Sequence, residues 1–103
     1  MPDHEAVIIS AARTAVGTAN KGTLVDVEAK DLASHVVKEA VKRSGIDPAA
    51  FDDVVLGEAL YGGGVTARYA AIEAGLVNAP GLALNRHCAT GLSALSTAAE
   101  HSS

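Results

Sequence analysis

The hydrophobic residues between positions 29 and 41 recur three and four positions apart, which is the spacing of one helical face. They are Ala29, Leu32, Ala33, Val36, Val37, Ala40 and Val41. The pattern predicts an amphipathic helix that Asp26 caps at its N-terminus and that ends at Gly45 in a left-handed conformation. His35 falls on the polar face of this helix, so we expect it to be exposed to solvent.

Three apolar runs of strand length lack the polar alternation of a half-exposed strand. They are residues 6–11, 53–58 and 81–84. The first two predict strands that are buried on both faces, and the helix between them predicts that they are parallel neighbours. The third predicts a short strand, which is expected at an edge of the sheet. Asp47-Pro48 predicts a short helical turn, and a second helix is expected over residues 66–74, before Gly75.

The last helical segment carries no charge from Cys88 to Ala99. A helix without charge on any face is expected to be buried on every face. The predicted order is therefore β-α-β-α-β-α, an α/β fold with a mainly parallel sheet. Three strands and a helix that needs cover on all sides indicate that residues 1–103 form a partial domain.

Composition and charge narrow the possible functions. Apolar residues make up 49% of the chain and aromatic residues only 3%, which predicts an aliphatic core. The net charge is −4 and no basic block occurs, so we expect no nucleic-acid partner. The chain has neither an apolar run long enough to span a bilayer nor a secretion signal pattern, and its single cysteine suits a reducing compartment. These features predict no membrane partner and a cytoplasmic location.

No metal site is expected, because the four histidines show no paired ligand spacing: His4, His35, His87 and His101.

Cys88 is the candidate for chemistry, because it lies between the third predicted strand and the uncharged helix. Unpaired backbone N–H groups and the helix dipole favour negative charge at such a position, and therefore the nucleophilic thiolate. The alternative is that Cys88 is a small buried apolar residue, as free cysteines often are. The position alone leaves both interpretations open.

Two other features could contact phosphate groups. A glycine run at residues 61–64 precedes a predicted helix, but it lacks the Lys-Ser/Thr of a P-loop, so a structural loop is favoured. Arg13 follows the first predicted strand, where a structural ion pair is favoured over a phosphate contact.

The segment Asn85-x-x-Cys88-x-x-Gly91-x-x-Ala94 resembles the active-site segment of thiolases, the acyl-CoA acyltransferases. Three other stretches are similar to the same family in order and spacing: residues 7–17, 54–57 and 67–76. The resemblance covers nearly the whole chain. It implies the N-terminal half of a thiolase, truncated before its last strands and ending after the helix that follows the nucleophile.

The resemblance also implies a site and a chemistry. Thiolases build a five-layer core from two similar halves, and their nucleophilic cysteine takes an acyl group from acyl-CoA as a thioester. Cys88 would be that nucleophile, and its own N–H would be one donor to the oxyanion. Coenzyme A and acyl-CoA are implied as substrates, and no tightly bound cofactor is implied.

The chain departs from the thiolase pattern in what it lacks. It contains no Gly-His-Pro segment, no second cysteine in a Cys-x-Gly segment and no Asn-Glu-Ala-Phe segment. His87 is a neighbour of Cys88, but adjacent side chains at such a turn usually point apart, so it is not expected to replace the missing base. The chain alone is therefore expected to be inactive, and its expected partner is a second copy or a missing C-terminal half. Two alternatives remain: a non-catalytic remnant or association subunit, and a cysteine condensing enzyme of the ketoacyl synthase type.

Overall fold

The computed structural model describes residues 5–17, 22, 24, 26–59 and 65–102. The predicted glycine run and His4 lie outside these residues. The helices and strands are α1 (Ala29–Ser44), β1 (Val55–Gly57), α2 (Thr66–Glu73), β2 (Leu82–Leu84) and α3 (Thr90–Ser102), with 3₁₀ turns at Pro48–Ala50 and His87–Ala89. This order confirms an α/β fold from the long helix onwards.

Strands β1 and β2 form a two-stranded parallel sheet. Val55 pairs with Leu82 and Gly57 with Leu84, and the Leu82 N–H also donates to the Val54 carbonyl oxygen at 2.7 Å. The second and third apolar runs are therefore strands, as predicted. Their C-terminal ends lie at the same edge of the sheet, which is where parallel sheets usually place their sites.

The first predicted strand, at residues 6–11, does not form. Its three largest apolar side chains are more than half exposed: Val7, Ile8 and Ile9. The segment instead lies against the end of α1, since Ser10 Oγ donates to the Ala40 carbonyl oxygen at 2.9 Å and Arg43 Nη1 to that of Ala11 at 3.0 Å. A strand needs the backbone groups of a neighbouring strand, and no described strand pairs with these residues.

Helix α1 ends as predicted but begins differently. Gly45 is its C-cap, with φ 71°, and His35 is exposed, as expected. The prediction of Asp26 as N-cap is wrong, because Glu28 holds that position without a capping side-chain hydrogen bond. Asp26 lies two residues before the cap, outside the position from which a side chain bonds the first turn. The Asp47-Pro48 turn is confirmed by a 3.0 Å bond from the Ala49 N–H to Asp47 Oδ1.

Helices α1 and α2 pack together on one face of the sheet, and α3 packs on the other face of β1. Leu56 and Gly57 both line a groove with α1, and a Cβ on Gly57 would point to the other face, where it would meet Thr90 of α3. The core between α1, α2 and the sheet is aliphatic, as predicted, apart from one phenylalanine at its border. Its members are Ala71, Leu76 and Ala79, bordered by Val37, Val41, Phe51, Val54 and Ala74.

The expectation that the uncharged helix is buried on every face is wrong for the described structure. Thr90 and Ala94 of α3 are buried, but Leu92 is 73% exposed and Leu95 is 52% exposed. One face of α3 rests on the sheet, and no described element covers the other. In the described part of the chain, no helix combines the length and apolar character needed to cross a membrane.

Candidate active site

Cys88 lies in the 3₁₀ turn His87–Ala89, between the end of β2 and the start of α3. Its thiol is free and the residue is exposed. The strand-to-helix position is as predicted, but the α-helix begins at Thr90, so Cys88 precedes its first turn. The exposure argues against the alternative of a small buried apolar residue, and it leaves the sulfur open to a substrate.

The backbone N–H of Cys88 has no hydrogen-bond acceptor among the described residues. The N–H groups on both sides do have acceptors. His87 N–H donates to Asn85 Oδ1 at 2.7 Å, and Ala89 N–H donates to the Arg86 carbonyl oxygen at 3.0 Å. The turn therefore leaves one unpaired N–H, on the residue that carries the thiol. A donor at that position could stabilise an oxyanion that forms next to the sulfur.

Thr90 holds this turn from the first position of α3. It is buried, and its Oγ1 accepts the Arg86 N–H at 2.8 Å. The same hydroxyl lies 2.6 Å from the His87 carbonyl oxygen and 3.3 Å from Asn85 Oδ1. A hydroxyl has one proton to donate, and the shorter distance assigns it to His87. The Thr90 hydroxyl therefore bonds the backbone of both residues that precede Cys88.

The backbone of His87 is left-handed, with φ 52°, and no other non-glycine residue in the described ranges has a positive φ. A side chain with a Cβ is disfavoured there by about 1–2 kcal/mol, so the bonds around His87 must maintain the conformation. The imidazole itself makes no hydrogen bond to a described side chain or backbone group. That His87 does not serve as the base for Cys88 stays a prediction.

Two glycines allow helices to approach the sheet closely, one on each face. Gly57 ends β1 directly beneath Thr90, and a Cβ at this glycine would overlap Thr90 Cγ2. Gly81 precedes β2 with φ 84°, and a Cβ there would lie 2.6 Å from the backbone nitrogen of Arg68. The Gly81 N–H donates to Asp53 Oδ1 at 3.1 Å, which joins the starts of the two strands. Both contacts depend on the absence of a side chain.

Asn85 and Cys88 were predictable from the sequence as site residues, whereas Thr90 and Gly57 were not. The spacing Asn85-x-x-Cys88 was the only local signal for the turn. Thr90 lies two residues after the cysteine, and a threonine hydroxyl at such a position often forms a hydrogen bond with nearby backbone groups. That tendency was the one signal for its role. Its contact with Gly57 joins residues far apart in the sequence, so no local pattern could have indicated it.

The other candidate residues do not join the site. Arg13 is exposed and forms no ion pair with a described residue, so the favoured ion pair is not seen there. Within the ranges described, no group of three or more His, Cys, Asp or Glu residues could hold a metal ion. An open groove of about 400 Å³ lies between the start of α1 and the end of β1, and Cys88 does not line it.

Comparison with known proteins identifies the family that the sequence segments resemble. The family model for the thiolase N-terminal domain matches residues 6–101. The chain is 39% identical to an acetyl-CoA acetyltransferase of Pseudomonas aeruginosa, over 94% of this chain and 25% of that protein. It is also 39% identical to a 3-ketoacyl-CoA thiolase of Bacillus subtilis, over 93% of this chain and 26% of that protein.

The fold agrees with this relationship. The crystal structure of the Bacillus anthracis acetyl-CoA acetyltransferase superposes with a TM-score of 0.85 and 38% identity, over 93% of this chain and 25% of that one. The chain thus spans about a quarter of the length of the relatives it matches. The match includes residues 6–11, which do not form the predicted strand here. With the family model matching nearly all of its residues, the chain belongs to the thiolase family and corresponds to part of the thiolase N-terminal domain.

Proposed function

We propose that Cys88 is the acyl-accepting nucleophile of a thiolase-type acyltransferase that uses acyl-CoA. The observation that carries the proposal is the exposed thiol on the one residue of the turn whose N–H has no acceptor among the described residues. The named relatives support the substrate class, because they are an acetyl-CoA acetyltransferase and a 3-ketoacyl-CoA thiolase.

In the proposed reaction the Cys88 thiolate attacks the carbonyl carbon of acyl-CoA. The carbonyl oxygen becomes an oxyanion, which the Cys88 N–H stabilises by a hydrogen bond. The bond between the carbonyl carbon and the CoA sulfur then breaks, leaving an acyl thioester on Cys88 and a CoA thiolate that takes up a proton. The acyl group next passes either to the thiolate of another CoA or to the carbanion of acetyl-CoA.

We expect the 103-residue chain to form the thioester at most slowly and not to turn over. It contains a single cysteine and no Gly-His-Pro segment, and the His87 imidazole has no hydrogen-bond partner among the described residues. General acid–base catalysis contributes about 10²- to 10⁴-fold to such reactions. The complete activity therefore requires groups that these residues do not supply. Because the thiol must stay reduced, we keep the cytoplasm as the proposed location.

Incubation of the purified chain with acetyl-CoA tests the proposal. Intact-mass measurement should show one added acetyl group, and peptide mapping should place it on Cys88. The Cys88→Ser variant and the urea-unfolded chain are the controls, and both should acquire less label. Acetylation spread over the lysines, or an equal rate in the unfolded chain, would mean that the folded turn does not activate Cys88 as an acyl acceptor.

A further inference from the structure

The Thr90 side chain has two separable functions in the turn. Its hydroxyl accepts the Arg86 N–H at 2.8 Å and donates to the His87 carbonyl oxygen at 2.6 Å. Its methyl group, Cγ2, rests against the backbone of Gly57 in β1. One end of the side chain thus bonds the turn before Cys88, and the other end seats that turn on the sheet.

The hydroxyl bonds act where the backbone is strained. His87 is left-handed at φ 52°, a conformation disfavoured by roughly tenfold in population for a residue with a Cβ. Asn85 Oδ1 accepts the His87 N–H at 2.7 Å, and the Thr90 hydroxyl and the Thr90 backbone N–H both donate to the His87 carbonyl oxygen. Both peptide groups of His87 are therefore held, and the second of these is the peptide whose N–H belongs to Cys88.

From this geometry we infer that Thr90 is a positioning residue for Cys88. Its hydroxyl holds His87 left-handed, and this conformation keeps the Cys88 N–H unpaired and the thiol exposed. The inference rests on the proposed function only in giving that thiol an acyl substrate. The reactivity of the sulfur towards a small alkylating reagent reports the same positioning without acyl-CoA.

Two substitutions separate the functions of the side chain. Thr90→Val keeps the methyl group against Gly57 and removes the hydroxyl, whereas Thr90→Ser keeps the hydroxyl and removes that methyl group. The rate of Cys88 alkylation by iodoacetamide should fall about tenfold in Thr90→Val and stay within about twofold in Thr90→Ser. Circular dichroism and thermal unfolding of both variants establish that the rates belong to folded chains.

A second substitution tests whether the hydroxyl acts through His87. Glycine adopts a left-handed conformation without the Cβ penalty, so His87→Gly should make the hydroxyl less necessary. Thr90→Val should therefore slow alkylation by only about threefold in the His87→Gly background, against about tenfold in the original chain. Such non-additivity is the signature of two residues that act on one conformation. If Thr90→Val unfolds the chain, the comparison is made with Asn85→Ala, which removes the bond to the His87 N–H.

Each result of these measurements either supports or overturns the inference. Equal losses in Thr90→Val and Thr90→Ser, or the same Thr90→Val loss in both backgrounds, would overturn the inference and leave Thr90 a packing residue. The predicted ranking with iodoacetamide, together with no acetyl adduct from acetyl-CoA in the original chain, would support positioning by Thr90 and reject the proposed acyl transfer. The same ranking with both reagents would support both.

Discussion

What distinguishes Cys88 is the hydrogen bonding of the backbone around it and the exposure of its sulfur. The neighbouring N–H groups are paired, its own has no acceptor in the described part of the chain, and its sulfur is exposed. These properties come from a 3₁₀ turn before an α-helix, so Cys88 precedes the helix instead of forming its first turn. An N–H that belongs to the helix interior would have been used in the helical ladder.

The turn should make Cys88 more reactive in the folded chain than in the unfolded chain. The exposed thiol lies beside an N–H without an acceptor among the described residues and just before the start of α3, and unfolding removes this arrangement. The measurement is the rate of iodoacetamide alkylation in buffer and in urea at one pH, with Cys88→Ser as the control for background labelling. A folded rate at or below the unfolded rate would show that the turn does not activate the thiol.

Gly81 should be far more sensitive to alanine than Gly75, although both are left-handed, at φ 84° and 85°. A Cβ at Gly75 would meet nothing within 4 Å, whereas one at Gly81 would press on the backbone of Arg68. We expect Gly75→Ala to lower the free energy of unfolding by about 1 kcal/mol and Gly81→Ala by about 3 kcal/mol. Urea titration of both variants measures the difference, and equal losses would mean that the helix shifts to accept the methyl group.

At the level of elements, the contact of α3 with β1 positions the turn. Gly57 and Thr90 meet at this contact so closely that a Cβ on the glycine would overlap the threonine methyl group. On the other face of the sheet, the absence of a side chain at Gly81 allows α2 to approach the start of β2 closely. The short sheet is therefore held between helices by close backbone approaches, and small residues make those approaches possible.

Gly57→Ala should destabilise the chain, and Thr90→Ser should relieve part of that loss. The added methyl group overpacks the contact and is expected to cost about 1–3 kcal/mol of unfolding free energy. Serine lacks the Cγ2 atom that the new methyl group would meet, so the double variant should be more stable than the sum of the single changes predicts. Urea unfolding of the four chains gives the coupling, and a strictly additive result would place the strain elsewhere.

On the scale of the whole molecule, large apolar side chains remain exposed in two separate places. Val7, Ile8 and Ile9 are exposed before α1, and Leu92 and Leu95 are exposed on α3. Both strands of the described sheet also have an unpaired edge among the described residues. Exposed apolar area and free strand edges favour association, so the predicted second copy or C-terminal half remains our expectation for the partner.

The chain should therefore associate at micromolar concentration, and lysines at positions 92 and 95 should weaken the association. The paired change Leu92→Lys and Leu95→Lys places charge on the exposed face of α3 without touching the buried Thr90 and Ala94. Val77→Lys, at a residue that is 60% exposed after α2, is the matched control. Sedimentation velocity measures the change. If the unmodified chain is monomeric, or if Val77→Lys weakens association as much as the paired change does, α3 is not the associating surface.

Local sequence patterns determined much of this structure. The periodicity of α1, the Asp47-Pro48 turn, the two continuous apolar runs of β1 and β2 and the place of Cys88 between strand and helix were all predictable. Each depends on residues close in sequence, whose backbone preferences and periodicity are properties of the segment itself. The resemblance to thiolases also rested on residues in their sequence order, and the family match confirms it.

Only the tertiary structure decided the rest. Residues 6–11 have the composition of a buried strand, but a strand also needs neighbours, and the described sheet has only two strands. The exposure of Leu92 and Leu95 depends in the same way on what packs against α3. The contact of Gly57 with Thr90 and the left-handed His87 depend on where β1 meets α3. A sequence pattern records the tendency of each segment, whereas pairing and burial are set by residues distant in the chain.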